Sequence, residues 1–207
     1  MKVLILSLLI LSFSPLISAQ NNFSIEVKGV KTLTDLSKDM SYWNEGVGGE
    51  IRVNYFVTPV IRTNLSFGYS QFQYSGKRLD RLIIPEYYAK SSGEKTEMIN
   101  LTIGSSFNPK NTFISPIFTI AFGAYSISKG LVLMDVYDME NVFIYQTKDE
   151  KTGKTYFGLM FNISAGFGIN LIENINLNIM AGYFKDLNST NNFIPITAGV
   201  EFIIPSF

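Results

Sequence analysis

From Thr155 to Leu171 the chain alternates without a break. Phe157, Leu159, Phe161, Ile163, Ala165, Phe167, Ile169 and Leu171 fall on one face, and Gly158, Met160, Asn162, Ser164, Gly166, Gly168 and Asn170 on the other. Successive side chains of a strand point to opposite faces, so a period of two predicts a strand with one apolar and one small or polar face. Strands of soluble domains commonly run ~5–6 residues, and this alternation is about three times as long. A tilted strand crossing a bilayer needs ~9–11 residues, with the excess projecting beyond it. After a turn at Ile172 to Asn174 the pattern repeats: Ile175, Leu177, Ile179, Ala181 and Tyr183 alternate with Asn176, Asn178, Met180, Gly182 and Phe184.

Earlier segments read the same way. Asn22 to Lys31 is a first strand with Phe23, Ile25 and Val27 on its apolar face. Val47, Gly49, Ile51, Val53 and Tyr55 alternate with Gly46, Gly48, Glu50, Arg52 and Asn54, and Thr58-Pro59 turns the chain back through Ile61, Thr63, Leu65, Phe67 and Tyr69. Ile99, Leu101, Ile103 and Phe107 lead through a turn at Asn108 to Thr112 into Phe118, Ile120 and Phe122, and Ile194 to Ile204 forms the last strand. This predicts about eight strands, whose short turns alternate with longer connections at Thr34 to Asn44, Ser75 to Lys95, Ser128 to Lys154 and Lys185 to Asn192. Within the third connection, Leu131 to Tyr137 and Val142 to Thr147 predict a hairpin around Asp138-Met139-Glu140-Asn141. Ten strands are then possible. Arms of about seven residues are too short to cross, which favours a sheet extension standing above the membrane.

Residues 1–19 have a different character. Met1-Lys2 is a short positive start, Val3 to Ile17 is apolar, and Ile17-Ser18-Ala19 reads as a small-residue cleavage site, the pattern of a secretory signal peptide. The apolar run is too short for a spanning helix, and no Cys follows for lipid attachment. Residues 20–207 remain as one domain, the expected barrel.

The last strand carries a more specific pattern. Thr197, Gly199, Phe202 and Ile204 hold the polar, Gly, aromatic and final apolar places of the assembly signal of outer-membrane β-barrels, which this ending resembles. The final place is aliphatic here, and the aromatic Phe207 follows three residues later. The chain as a whole resembles the small, eight-stranded outer membrane β-barrels. That resemblance implies an all-β fold, a closed antiparallel up-and-down transmembrane barrel located in the outer membrane. It implies outer-membrane lipid and the barrel assembly machinery as partners, with short turns in the periplasm and long loops outside. Aromatic rings favour the headgroup level, so Tyr55, Phe107 and Phe202 are candidates for a periplasmic girdle and Tyr69, Phe157 and Tyr183 for an external one.

Composition narrows the chemistry. The chain has neither Cys nor His, which removes disulfides, thiolate metal sites, Cys nucleophiles and the usual acid–base residue. The acyltransferases and deacylases among small outer-membrane barrels use a His, so no enzymatic activity, cofactor or metal is expected. Loop carboxylates such as Asp135, Asp138, Glu140, Asp149 and Glu150 read as solvated charges. A net charge of zero argues against nucleic acid.

The alternation places Glu26, Lys28, Glu50, Arg52, Arg62 and Glu201 inside, three acids and three bases. Buried charges are costly unless paired. Glu26–Arg52 and Lys28–Glu50 are expected as cross-strand pairs, with Arg62 and Glu201 meeting across the lumen. An eight-stranded barrel is just wide enough for its side chains to fill it, so a plugged interior is expected. The function that follows is structural or recognitional, with the external loops contacting an unidentified ligand or surface. A narrow channel for small solutes or ions is the alternative, and a soluble ligand-carrying barrel a weaker one, since its polarity would be reversed.

Overall fold

The computed structural model describes residues 23–34, 40–76, 87–109, 113–189 and 191–204. The expected signal peptide, Phe207 and parts of the Thr34 to Asn44, Ser75 to Lys95, Asn108 to Thr112 and Lys185 to Asn192 connections lie outside the described residues. The strands are β1 (Phe23–Leu33), β2 (Trp43–Phe56), β3 (Ile61–Tyr74), β4 (Tyr87–Gly93), β5 (Thr96–Phe107), β6 (Ile114–Ser128), β7 (Val132–Asp138), β8 (Phe143–Lys148), β9 (Thr155–Ile172), β10 (Ile175–Asp186) and β11 (Asn192–Ile204).

Eight of them close a barrel in the order β1-β11-β10-β9-β6-β5-β3-β2, every neighbouring pair antiparallel. The ten-strand alternative is thereby corrected. The hairpin around Asp138 to Asn141 forms as β7 and β8, but it pairs with β4 as a separate sheet in the order β4-β7-β8. β4 was not foreseen, because Tyr-Tyr-Ala-Lys-Ser-Ser-Gly has no alternation to read.

The barrel stands inside out relative to a soluble one. Val27, Ile51, Leu65, Leu101, Ile103, Phe118, Ile120 and Phe122 point outward and are exposed, whereas Ser24, Asn54, Asn64, Ser66, Thr102, Thr119 and Asn178 point inward and are buried. Apolar-out is what a hydrocarbon surround stabilises, and a closed barrel leaves no backbone edge unpaired within it. A soluble carrier would need the reverse.

Register shows how strongly the wall is staggered. Stepping across paired residues from Phe161 leads through Phe122, Ile103, Leu65, Val53, Ile25, Phe202 and Ile175 to Ile172, eleven residues further along β9. Such stagger requires tilted strands. With strands ~4.8 Å apart, each step then changes depth by only about 3 Å.

Close approach on the inner side depends on glycine. A Cβ added at Gly123 or Gly166 would sit 2.0 Å from the carbonyl oxygen of Leu101 or Ile179, so neither position admits a side chain without moving backbone. At Gly46 and Gly158 the space is taken by the rings of Phe72 and Tyr125, their cross-strand partners.

Candidate functional site

Nearest the short turns, the lumen is closed by a hydrogen-bonded floor built around Glu201. One carboxylate oxygen accepts from Arg62 Nη1 at 2.5 Å and from Ser24 Oγ at 2.6 Å, and the other accepts from Asn176 Nδ2 at 2.9 Å. Arg62 reaches from β3 past β2 and β1 to do this, and its guanidinium also lies 4.6 Å from the centre of the Phe56 ring. Among the described residues Arg62 Nε and Nη2 are buried without hydrogen-bond partners, and Glu201 is the charge paired with this cation. Asn54 continues the layer by donating to Ser24 Oγ at 3.0 Å, and Asn64 by donating to Ser106 Oγ at 2.9 Å.

One layer up lie the other four of the six charges expected inside. Lys28 Nζ is 3.1 Å from Glu26 and 3.2 Å from Glu50, while Arg52 Nη2 is 2.9 Å from Glu50. Glu26 and Arg52 are register partners, but the expected ion pair between them is replaced. Arg52 turns along its own strand to Glu50, and Glu26 takes Lys28 and accepts from Asn178 Nδ2 at 2.7 Å. The reason is geometric: residues two apart on one strand share a face, so Glu50 is as reachable as the residue opposite. Alternating cation and anion in one file shields four charges that would each be costly alone.

Above the charges the interior becomes apolar. Met40, Trp43, Phe72, Met98, Tyr125, Ile127, Val132, Met160, Phe184 and Phe193 form one buried cluster, with Phe184 against Phe193 at 5.1 Å and Tyr125 against Phe184 at 5.3 Å. Sequence reading placed Met160 and Phe184 on the inward face but did not anticipate a second core. Its signal was present in the inward Phe and Met residues near the long connections. Met40 and Val132 come from those connections, which therefore fold down over the mouth. Trp43 Nε1 donates to the Glu94 carbonyl at 2.9 Å. Tyr42 beside it has its hydroxyl pKa pushed up to about 12 by burial and by its hydrogen bond to the Asp149 carboxylate. Two interior voids, of ≈ 30 and ≈ 20 Å³, both border Glu50. A single water needs ~10–15 Å³, so each void has room for one or two.

The girdle candidates all lie on the outer wall. Tyr55 packs on Phe23 at 5.1 Å, and Phe107 and Phe202 are each 46 % exposed near the short-turn end. Tyr69 donates to Glu97 at 3.1 Å, and Tyr183 lies two residues below the outward Lys185. Phe157, 80 % exposed, stands higher than either, because the residue level with Lys185 is Phe161. Of the assembly-signal positions, Thr197 and Gly199 face inward and Phe202 and Ile204 outward. Gly199 also fits the seam with β1, where a Cβ would lie 2.4 Å from the Val27 carbonyl oxygen.

Outside the wall, β4, β7 and β8 carry an aromatic ladder. Tyr88 stacks on Tyr137 at 5.4 Å, Tyr137 meets Phe143 edge-on at 5.8 Å, and Lys90 Nζ lies 5.1 Å from the Tyr137 ring centre. All of β8 is exposed, and Met139, Val142, Phe143, Ile144 and Tyr145 form an apolar tip.

The model of a protein family described as outer membrane protein beta-barrel domain matches residues 3–202. The chain belongs to this family. The protein is therefore an outer-membrane β-barrel, with lipid around its apolar wall. Its fold is similar to that of Ail, the attachment invasion locus protein of Yersinia pestis, with a TM-score of 0.51 and 12% identity over 90% of this chain and 100% of that one. It is likewise similar to Neisserial surface protein A, with a TM-score of 0.50 and 10% identity over 91% of this chain and 98% of that one. At such identities the likeness concerns the fold alone. Among curated proteins none matches the sequence significantly.

Proposed function

We propose that this barrel is a closed membrane anchor that displays the β4-β7-β8 sheet for surface recognition. The carrying observation is that this sheet pairs separately from the barrel wall and leaves Met139 and Val142 to Tyr145 at least 45 % exposed, Phe143 included despite its edge contact with Tyr137. Exposed apolar patches of this kind mark interaction sites. The lumen supports the anchor half of the reading, since the charged file, the Glu201 floor and the apolar cluster fill its described part, and the voids bordering Glu50 measure ≈ 30 and ≈ 20 Å³. The name of Ail records attachment, and the same class of role fits an external sheet here. Lacking His and Cys, the chain is read as non-catalytic.

The test has two arms. Purified protein in planar bilayers should show no steady conductance. Cells displaying the protein should adhere to a panel of immobilised proteins and glycans more than cells displaying a variant with Val142, Phe143, Ile144 and Tyr145 changed to Ser. A steady conductance would establish the narrow channel instead, and equal adhesion by the two strains would remove the recognition role.

Engagement of the assembly machinery by β11 forms part of the same proposal, with Thr197, Gly199, Phe202, Ile204 and Phe207 as its signal. Phe202→Ala should lower the folded amount in the outer membrane more than Phe143→Ala, both being exposed aromatics. Equal yields on heat-modifiability gels would dismiss the signal.

A further inference from the structure

Five Asn residues stand in the spacing Asn-x-Ser/Thr with no Pro between, the acceptor pattern of N-linked glycosylation: Asn22, Asn64, Asn100, Asn162 and Asn188. Asn22 lies outside the described residues. Asn64, 3 % exposed, points into the lumen, and Asn100 and Asn162 border the interior void of ≈ 30 Å³. A glycan on any of these three would need space that the closed barrel fills with side chains. Asn188 differs: it is exposed, in the connection that joins β10 to β11 at the external rim.

The residue two places before sets Asn188 apart a second time. Gln20, Arg62, Met98 and Met160 precede the first four, whereas Asp186 precedes Asn188. Oligosaccharide transferases of the bacterial periplasm take a longer pattern, an acid, any residue, Asn, any residue, then Ser or Thr, because a cation in their peptide groove holds the acid in a charge-assisted bond. Asp186-Leu187-Asn188-Ser189-Thr190 fits it, with no Pro inside. Among the described acceptors, the one that carries the acid is thus the one whose glycan the fold can carry.

In the folded barrel Asp186 is 2 % exposed, and its carboxylate accepts from the Tyr125 and Ser189 hydroxyls and from the Asn188 N–H. A transferase can therefore reach this acid only before the barrel closes. Afterwards Asn188 opens on a cleft walled by Tyr156 and Phe157, whose rings offer apolar faces to a first sugar.

We propose that Asn188 is a site of N-linked glycosylation, modified in the periplasm before the barrel closes. The donor is an oligosaccharide carried on a polyprenyl diphosphate. Asn188 Nδ2 bonds to C1 of the first sugar, the bond from C1 to the diphosphate oxygen breaks, the diphosphate leaves with the bonding pair, and the amide proton passes to a base of the transferase. The site is separate from the external sheet and does not rest on its recognition role.

The full chain is purified from the outer membrane of its own organism and its peptides are read by mass spectrometry, beside variants expressed in its place. Asn188 should carry a glycan, and Asn64, Asn100 and Asn162 none. Asp186→Asn and Thr190→Ala should each lose the glycan, whereas Asp186→Glu and Thr190→Ser should keep it. Heat-modifiability on gels establishes that each variant folds. An unmodified Asn188 in the unaltered protein overturns the site, and so does an undiminished glycan in Asp186→Asn. In pulse-labelled cells the chain that is still unfolded should already bear the glycan. A glycan confined to the folded form overturns the proposed order of events.

Discussion

Glu201→Ala should destabilise the folded barrel by about 3–5 kcal/mol, the scale on which removing one partner strands a buried charge. Glu201 is fully buried and Arg62 is 3 % exposed, so water offers little compensation on either side. The substitution also removes the acceptor of Ser24 and Asn176, loosening contacts from β1 and β10 at once. Urea unfolding of protein in lipid vesicles reads the loss. Changing Arg62 and Glu201 together to Met should recover much of it, because well-packed apolar groups often do as well as a buried pair. A cost below about 1 kcal/mol for the single change, the value of a solvated pair, would mean that the floor is wet.

Ile179→Arg should cost about 2–4 kcal/mol of membrane folding stability, whereas Val47→Arg should cost about 0–1. Both side chains point outward, but their neighbours differ. Ile179 pairs with Phe167 and Ala198, while Val47 pairs with Lys31 and Gln71, which already mark the polar boundary of the wall. Ile163 would read as equally deep from its place within β9. Its partner across the ladder is nevertheless Tyr183, and one step of stagger lowers it by only about 3 Å, so Ile163→Arg should fall between the two. Equal costs for Ile179→Arg and Val47→Arg in the same vesicle titration would show that this face does not meet hydrocarbon.

These cases mark what a linear sequence makes legible. Alternation in β9 and β10 gave away strands, faces and polarity, because side-chain direction is a local property of each residue. Short turns separated by long connections then gave the up-and-down order. Depth was not legible, since it depends on stagger accumulated around the whole circumference, so the place of Ile163 within its own strand does not say how deep it lies. Arg52 shows the same limit at the site: its face was readable, but not the choice between Glu26 opposite and Glu50 two residues back. The apolar layer of Phe72, Phe184 and Phe193 escaped notice because inward positions were expected to be small or polar. Gly46 and Gly158, legible only as members of the small or polar face, are what make room for the rings of Phe72 and Tyr125. β4 became a strand only because β7 offered an edge.

The seam between β1 and β11 sets the timetable of the molecule. Phe23 pairs with Ile204 and Leu33 with Ile194, so the first barrel strand to be synthesised waits for the last before its second edge is satisfied. Contacts this distant in sequence form slowly, since the loop they close must lose its freedom before they reward it. Until then the row from Ser24 to Thr32 keeps one open edge, and Glu201 is absent from beneath Arg62. An interrupted chain could build hairpins but could shield neither its edge nor its floor charge, so closure acts as a check that the whole barrel sequence has arrived.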